Sequence, residues 1–307
     1  MNYRRSRKAV WCLLVAAGWC AATTAVGAAE DAAFSGARAF EDLKHLVAYG
    51  PRPAGSPALA QARRWMIAQL QQAGAQVEED SFTASTPIGA VPMTNLIAKF
   101  PGQQPKVVMV AGHYDTKREA SFRFVGANDG ASSAALLLEL ARVLAARKNA
   151  LTYWLVFFDG EEAVQEWTDT DSLYGSRHLV AKLTVEGDLA RLQAMILVDM
   201  IGDAKLDIHR EENSTPWLMD SLFGVAHRLG YEKYFLDSPT PIEDDHIPFV
   251  KAGVAAADLI DLDYGPHNSY WHTEKDTVEH CSPLSLAIVG RVVFATLGDL
   301  EKSPHFK

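Results

Sequence analysis

The chain has 307 residues, with 29 Lys and Arg against 38 Asp and Glu, a formal net charge of −9 and 48% hydrophobic residues. Beyond the stretch Arg4–Lys8 it holds no basic cluster, which argues against nucleic acid and anionic membranes as partners. The length suits one large α/β domain with a substantial core.

Arg4, Arg5, Arg7 and Lys8 make a basic start, Ala9 to Thr24 is apolar and small, and Ala25-Val26-Gly27-Ala28-Ala29 offers small residues for cleavage before Glu30. This is the pattern of a secretory signal over residues 1–29, followed by one catalytic domain over 30–307; the apolar run is short for a membrane anchor. Trp19 is too bulky for a lipoprotein cleavage ahead of Cys20. The expected destination is a periplasm or the medium, with no membrane attachment after cleavage. Cleavage removes Cys12 and Cys20 and leaves Cys281, which then has no intrachain partner and reads as a small buried hydrophobe. It also leaves 25 basic against 38 acidic residues, a net charge of −13.

Ser35–Tyr49 reads as an amphipathic helix ending at Gly50, and "GPRPAGSP" (50–57) as a turn-rich connector. Ser56 caps a helix with Pro57 at its first position, running to Gly74. Strand patterns follow at Gln76–Phe82, Asn95–Phe100 and Lys106–Ala111, then an Ala- and Leu-rich helix over Gly130–Arg147. "LTYWLVFF" (151–158) is a continuous apolar strand of the type buried on both faces. Helix Asp171–Leu183, strand Ala194–Val198, helix Thr215–Leu229, strand Val254–Ile260 and helix Pro283–Leu300 complete the chain. Strands alternating with helices predict a single-domain α/β/α sandwich: a mostly parallel, twisted mixed sheet with helices on both faces.

Ligands of such sheets bind beyond the carboxyl ends of the strands. The polar residues collect there, in "GHYDTK" (112–117), "GAND" (126–129), "DGEE" (159–162), "DMIGD" (199–203), "EDDHIPF" (243–249) and "WHTEKDT" (271–277). A catalytic zinc takes about three ligands from His, Asp and Glu and keeps one position open. Asp129, Glu162 and His272 meet that need from different strand ends, leaving the adjacent Glu161 free to shuttle protons.

The stretches "DGEEA…W…DSLYGSRHL", "EDDHIPF" and "WHT" resemble the animal-type glutaminyl cyclases, the glutaminyl-peptide cyclotransferases. The frame "GHYD…GAND…EE…DMIG…HT" is shared with their relatives, the di-zinc aminopeptidases. The resemblance runs from "GPRPAGS" to the last helix. It implies one zinc held by Asp129, Glu162 and His272, with Glu161 carrying a proton from the substrate α-amine to departing ammonia. Asp199 and Asp244 would share a proton with Glu161, Trp167 and Trp271 would wall a small, closed pocket, and the backbone N–H of Glu243 would contact the substrate. The implied reaction converts the N-terminal Gln of a peptide or protein to pyroglutamate, by a monomeric enzyme. The sequence departs from the animal enzymes in three places. Gly112 and Ala134 stand where those have a disulfide, His267 stands where an aromatic often precedes "WHT", and His113 is present. With Asp129 and Asp199, His113 would complete a second metal site, and the alternative activity is that of a di-zinc aminopeptidase.

Other residues have plainer roles. Asp159 reads as a turn residue binding its own backbone before Gly160, Asp115 as the partner orienting His113, and Asp203 as a cap. His246 reads equally as a pocket group and as a satisfied buried histidine, while Trp65 and Trp154 read as core.

Overall fold

The computed structural model describes residues 34–306; the N-terminal segment read as a secretory signal lies outside them. Helix α1 (Gly36–Ala48) starts at Ser35, whose hydroxyl accepts the Arg38 N–H at 3.3 Å. Helix α2 (Pro57–Gln72) starts at Ser56, whose hydroxyl accepts the Leu59 N–H at 3.1 Å. In both, the side chain satisfies an N–H that the first turn leaves without a helical partner.

Strands β1 (Gln76–Thr86) and β2 (Gly89–Phe100) form an antiparallel hairpin longer than the alternation predicts. The sheet continues with β3 (Val107–His113), β4 (Thr152–Phe158), β5 (Leu192–Asp199) and, at its far edge, Ala256–Ile260. Between β5 and that edge strand lie β6 (Ile208–Glu211) and β7 (Phe235–Thr240), which pair in parallel as a small separate sheet; the edge strand is therefore β8. The main sheet has the order β1-β2-β4-β3-β5-β8, with β4, β3, β5 and β8 parallel and the β1–β2 hairpin antiparallel at one side. The expected mixed α/β sheet is present.

β4 is buried at every residue, which is why its sequence shows no alternation. Its Trp154, Val156 and Phe158 pack with Met109, Ala111, Met195 and Leu197 against Leu179 and Leu183 of α4 (Tyr174–Glu186) and Phe249 of α6 (His246–Lys251). The opposite face carries α3 (Ala131–Ala145) and α7 (Pro283–Leu300), joined at the side by α5 (Pro216–Arg228). Among the described residues α7 alone is long and apolar enough to cross a membrane; here it is a core helix, with Leu286, Val289, Val293 and Leu297 fully buried.

Two expectations need correction. α4 begins at Tyr174 rather than Asp171, because the Asp171 carboxylate accepts the loop N–H groups of Val164, Gln165 and Glu166 at 2.9–3.0 Å. Trp65 is not core: it is half-buried and stacks on His45 with ring centroids 4.2 Å apart. Trp154 is core, with Lys99 Nζ above its ring at 4.9 Å.

Candidate active site

The carboxyl ends of the parallel strands carry the chemistry, as the topology demands. His113 is the last residue of β3, Asp199 the last of β5, and Glu161 and Glu162 follow β4. The loop after β4 is fixed at both ends. Asp159 Oδ2 accepts the Thr94 N–H of β2 at 2.8 Å, while the Asp159 N–H donates to Asn95 Oδ1 at 3.1 Å. Asp159 is thus a tie across to β2, not a turn residue bound to its own backbone. Further along, Leu173 and Tyr174 donate their N–H groups to the carbonyls of Glu161 and Gly160, each at 2.8 Å.

Asp129 sits just before α3, and its position is set by close approach. Gly130 has φ 95°, and a Cβ there would fall 2.4 Å from the Asp115 carbonyl oxygen and 3.1 Å from His113 Cε1. Only glycine allows the turn and the contact together. The Asp276 carboxylate, pushed up to about 7 by burial and by Asp129, accepts the N–H groups of Asn128 and Asp129 at 2.7 and 3.1 Å. The fully buried Arg52 guanidinium donates to the carbonyls of Val125 and Gly126 at 2.8 and 3.1 Å, holding the loop from the other side.

The side chains meet in two adjoining groups. His272 Nε2 lies 3.1 Å from Asp129 Oδ2 and 3.3 Å from Glu162 Oε1. His113 Nε2 lies 3.2 Å from Asp129 Oδ1 and 3.1 Å from Asp199 Oδ1. Within each group the candidate ligand atoms all lie within 4.8 Å of one another. The predicted ligand trio Asp129, Glu162 and His272 is therefore brought together, and so is the second trio His113, Asp129 and Asp199. Asp129 Oδ2 and both oxygens of Glu162 are buried without a hydrogen-bond partner among the described residues. Orphaned carboxylate oxygens converging on an imidazole nitrogen fit a divalent cation of zinc type.

Asp115 Oδ1 lies 3.5 Å from His113 Nδ1, beyond a good hydrogen bond, and receives the Glu161 N–H at 3.4 Å. Burial pushes the Glu161 carboxyl well above the usual carboxylate range; Asp244, Glu162 and Asp245 push the same way and His113 opposes them. The same holds for Asp244, raised by burial and then by Asp199 and Asp245. Burial would lower His113, but Asp199 and Glu161 raise it well above its ordinary value.

These groups open on a cavity of about 490 Å³ lined by Asp129, Glu161, Glu162, Asp199, Asp244 and His272, with Trp167, Trp271 and Glu243 at its mouth. His113 is buried behind the cavity and does not line it. The two tryptophans are 40% and 39% exposed, so they form an open rim rather than the closed pocket expected. Trp271 stacks on His272 with centroids 4.2 Å apart. His246 is fully buried away from the cavity, its Nε2 3.2 Å from Glu211 Oε2. His267, with φ 56°, also stands outside the lining. Asp203 is the turn cap expected, accepting the Lys205 N–H at 3.0 Å. Cys281 is a buried free thiol in an isolated bridge with Asp203, beside the Ser282 N–H to Gly202 carbonyl bond of 2.8 Å.

The sequence reading did not single out Asp276, Arg52 or the aliphatic wall of Ile242, Ile260 and Leu262. Asp276 stood within the motif "WHTEKDT"; the others carry no local signal, because their partners are distant in the chain.

Comparison with known proteins agrees with this geometry. Residues 95–297 match the model of peptidase family M28. A glutaminyl-peptide cyclotransferase-like protein of Bos taurus is 35% identical over 277 residues, covering 81% of this chain and 72% of its own. A glutaminyl-peptide cyclotransferase of Dictyostelium discoideum is 31% identical, covering 81% of this chain and 82% of its own. Among solved structures, the glutaminyl cyclase of an Acidobacteriales bacterium superposes with a TM-score of 0.84 at 41% identity, over 88% of this chain and 95% of its own.

Proposed function

The chain belongs to peptidase family M28 and, within it, to the glutaminyl-peptide cyclotransferases, and from that membership we propose that it is a zinc-dependent enzyme converting the N-terminal Gln of peptides and proteins to pyroglutamate with release of ammonia. The observation that carries this reading is the cavity lining. Glu161, Asp199 and Asp244 face the same space as Asp129, Glu162 and His272, while His113 stays behind it.

Asp129, Glu162 and His272 would hold the ion, which when bound supplies Lewis-acid polarisation of the substrate γ-amide oxygen. The residues of the chain do the rest. Glu161 takes a proton from the α-amine as it attacks the γ-amide carbon, and returns it to the leaving nitrogen. Burial and the neighbouring acids raise its carboxyl, so the group takes up the amine proton more readily than an ordinary glutamate. Asp199 and Asp244 hold the shared proton beside it. Trp167 and Trp271 wall the glutamine side chain, and the Glu243 N–H contacts the substrate. Since nucleophile and electrophile belong to one molecule, the site mainly holds a bent conformer.

A second reading has an observation of its own. His113, Asp129 and Asp199 also form a compact ligand set, as a di-zinc aminopeptidase would require. A cyclase uses the α-amine as its nucleophile, and a second metal on that amine would tie up its lone pair; we therefore infer one zinc per chain. The decisive experiment measures zinc content, ammonia release from Gln-initiated peptides and release of N-terminal Leu on one preparation. One zinc with ammonia release supports the cyclase; two tightly held zincs with rapid Leu release install the aminopeptidase. We further infer export to a periplasm or the medium from the sequence of residues 1–29, and a monomer.

A further inference from the structure

The cavity holding the site continues sideways. A second cavity, of about 290 Å³, lies against β6, the end of β7 and the end of β8, and Ile242, Ile260 and Leu262 line both spaces. The shared wall is backed from behind: Ile260 is packed with Met200 and Tyr264 in one apolar cluster, and Ile242 and Leu262 lie against it. It is a preformed aliphatic surface, reached directly from the place where the N-terminal glutamine would sit.

The far side of this second cavity is acidic. Glu211 is buried there, fixed by the N–H groups of Asn213 and Ile242 at 2.8 and 3.0 Å, by the Ser214 hydroxyl at 2.8 Å and by His246, whose Nε2 lies 3.2 Å from Oε2. Asp263 is exposed on the rim, and the nearby Lys205 is taken up by Asp207 at 2.8 Å. His209, also on this wall, is tied through Nδ1 to the Ser238 hydroxyl at 2.7 Å.

Consecutive Cα atoms are about 3.8 Å apart, so with glutamine in the inner cavity the next side chain must lie at its mouth. Two spaces are available. One is the acidic cavity just described. The other, of about 260 Å³, is reached past Trp167 and Glu243 and carries Arg177 and Lys251. Arg177 is engaged by the carbonyls of Thr170 and Ser172 at 3.2 and 2.7 Å, and the exposed Trp167 ring stands at the passage. The acidic cavity is joined by the longer apolar wall and has the formal charge to select.

Resting on the cyclase reading, we propose that the cavity beside β6 is the subsite for the side chain that follows the N-terminal glutamine, and that it favours the long basic side chains of Lys and Arg over acidic ones. The methylene stem lies along Ile242, Ile260 and Leu262 while the cationic head meets the exposed Asp263.

The test compares kcat/KM for the tripeptide amides Gln-Lys-Ala, Gln-Leu-Ala, Gln-Ala-Ala and Gln-Glu-Ala, with the wild type and Asp263→Lys. The Lys peptide should exceed the Glu peptide by about tenfold or more at low ionic strength, chiefly through KM, and the ratio should shrink as salt is added. Asp263→Lys should abolish or invert the ratio. Equal values for all peptides overturn the inference while leaving the cyclase reading intact. So does a preference for Glu, which would put the side chain beside Lys251, and so does a ratio that Asp263→Lys leaves unchanged. Failure to cyclise any of the peptides overturns the cyclase reading and the subsite with it.

Discussion

The Asp276 carboxylate accepts the backbone N–H of Asp129, four residues after His272 and at the far end of the same loop. One candidate metal ligand is thus aimed by the segment that supplies another, and Tyr264 steadies the pair by donating its hydroxyl to Asp276 Oδ1 at 3.0 Å. Groups that orient metal ligands commonly contribute about 10–100-fold in metal affinity. Asp276→Asn keeps the size but replaces an acceptor oxygen with a donor facing an N–H. Its zinc affinity, measured by chelator competition, should fall within that range. Turnover per bound zinc should stay close to wild type; a large loss of turnover at full occupancy would assign Asp276 a direct part in the reaction.

Glu161 and Glu162 are neighbours with opposite expected phenotypes. Glu162→Ala removes one of a minimal set of ligands and should leave the protein with little zinc by elemental analysis. Glu161→Gln should retain zinc and lose about 10²–10⁴-fold in turnover, the usual worth of a positioned acid–base group. A folded but zinc-free Glu161→Gln protein would exchange the two roles.

His113 decides between the metal counts. With one zinc held by Asp129, Glu162 and His272, His113→Asn should still bind about one zinc per chain. A fall from two zincs to one in this variant would make His113 a ligand.

Glu211 gives a pH signature separate from the metal. Burial by itself would raise its carboxyl, but His246, the N–H groups of Asn213 and Ile242 and the Ser214 hydroxyl together hold it down at about 2. A carboxyl lowered on folding adds stability above its unfolded value of about 4.3, and that stability is lost as pH falls toward 2. Glu211→Gln should therefore cost about 1–3 kcal/mol in urea unfolding at pH 6. The gap to wild type should narrow at pH 3. An equal gap at both values would mean that the charge of Glu211 contributes nothing.

The candidate site residues were legible in the sequence because most lie beside a strand or helix terminus that announces itself. His113 ends an apolar run, Glu161 and Glu162 follow "LTYWLVFF", and Asp129 precedes an Ala- and Leu-rich helix. Residues whose partners are distant were not legible. Asp159 has the local chemistry of a turn, and only the antiparallel pairing of β2 with β4 brings Thr94 to it. The start of α4 differs for a local reason: Asp171 has the composition of an N-cap, yet its carboxylate is used by the N–H groups of the loop five to seven residues before it. The β6–β7 sheet escaped notice because Ile208–Glu211 is short and charged, with burial at its two ends and no alternation to mark it. What it builds, the acidic side cavity, was hidden with it.

Cys281 turns the loop that presents His272 and Asp276 into a measurable moving part. Its sulfur is buried, its thiol is held well above the usual range by burial and by Asp276, and its backbone bridges to Asp203. Cys281 keeps 8% exposure, so its labelling by a thiol reagent should quicken when the 276–282 segment lifts from the Gly202–Ala204 loop, breaking the Ser282–Gly202 and Ala204–His280 backbone bonds. Where closing outpaces labelling, the labelling rate is the intrinsic thiol rate scaled by the open fraction, and so reads out the free energy of that local opening. The sole cysteine among the described residues is thereby a native clock for the breathing of the active-site rim, read by mass spectrometry without any engineered probe.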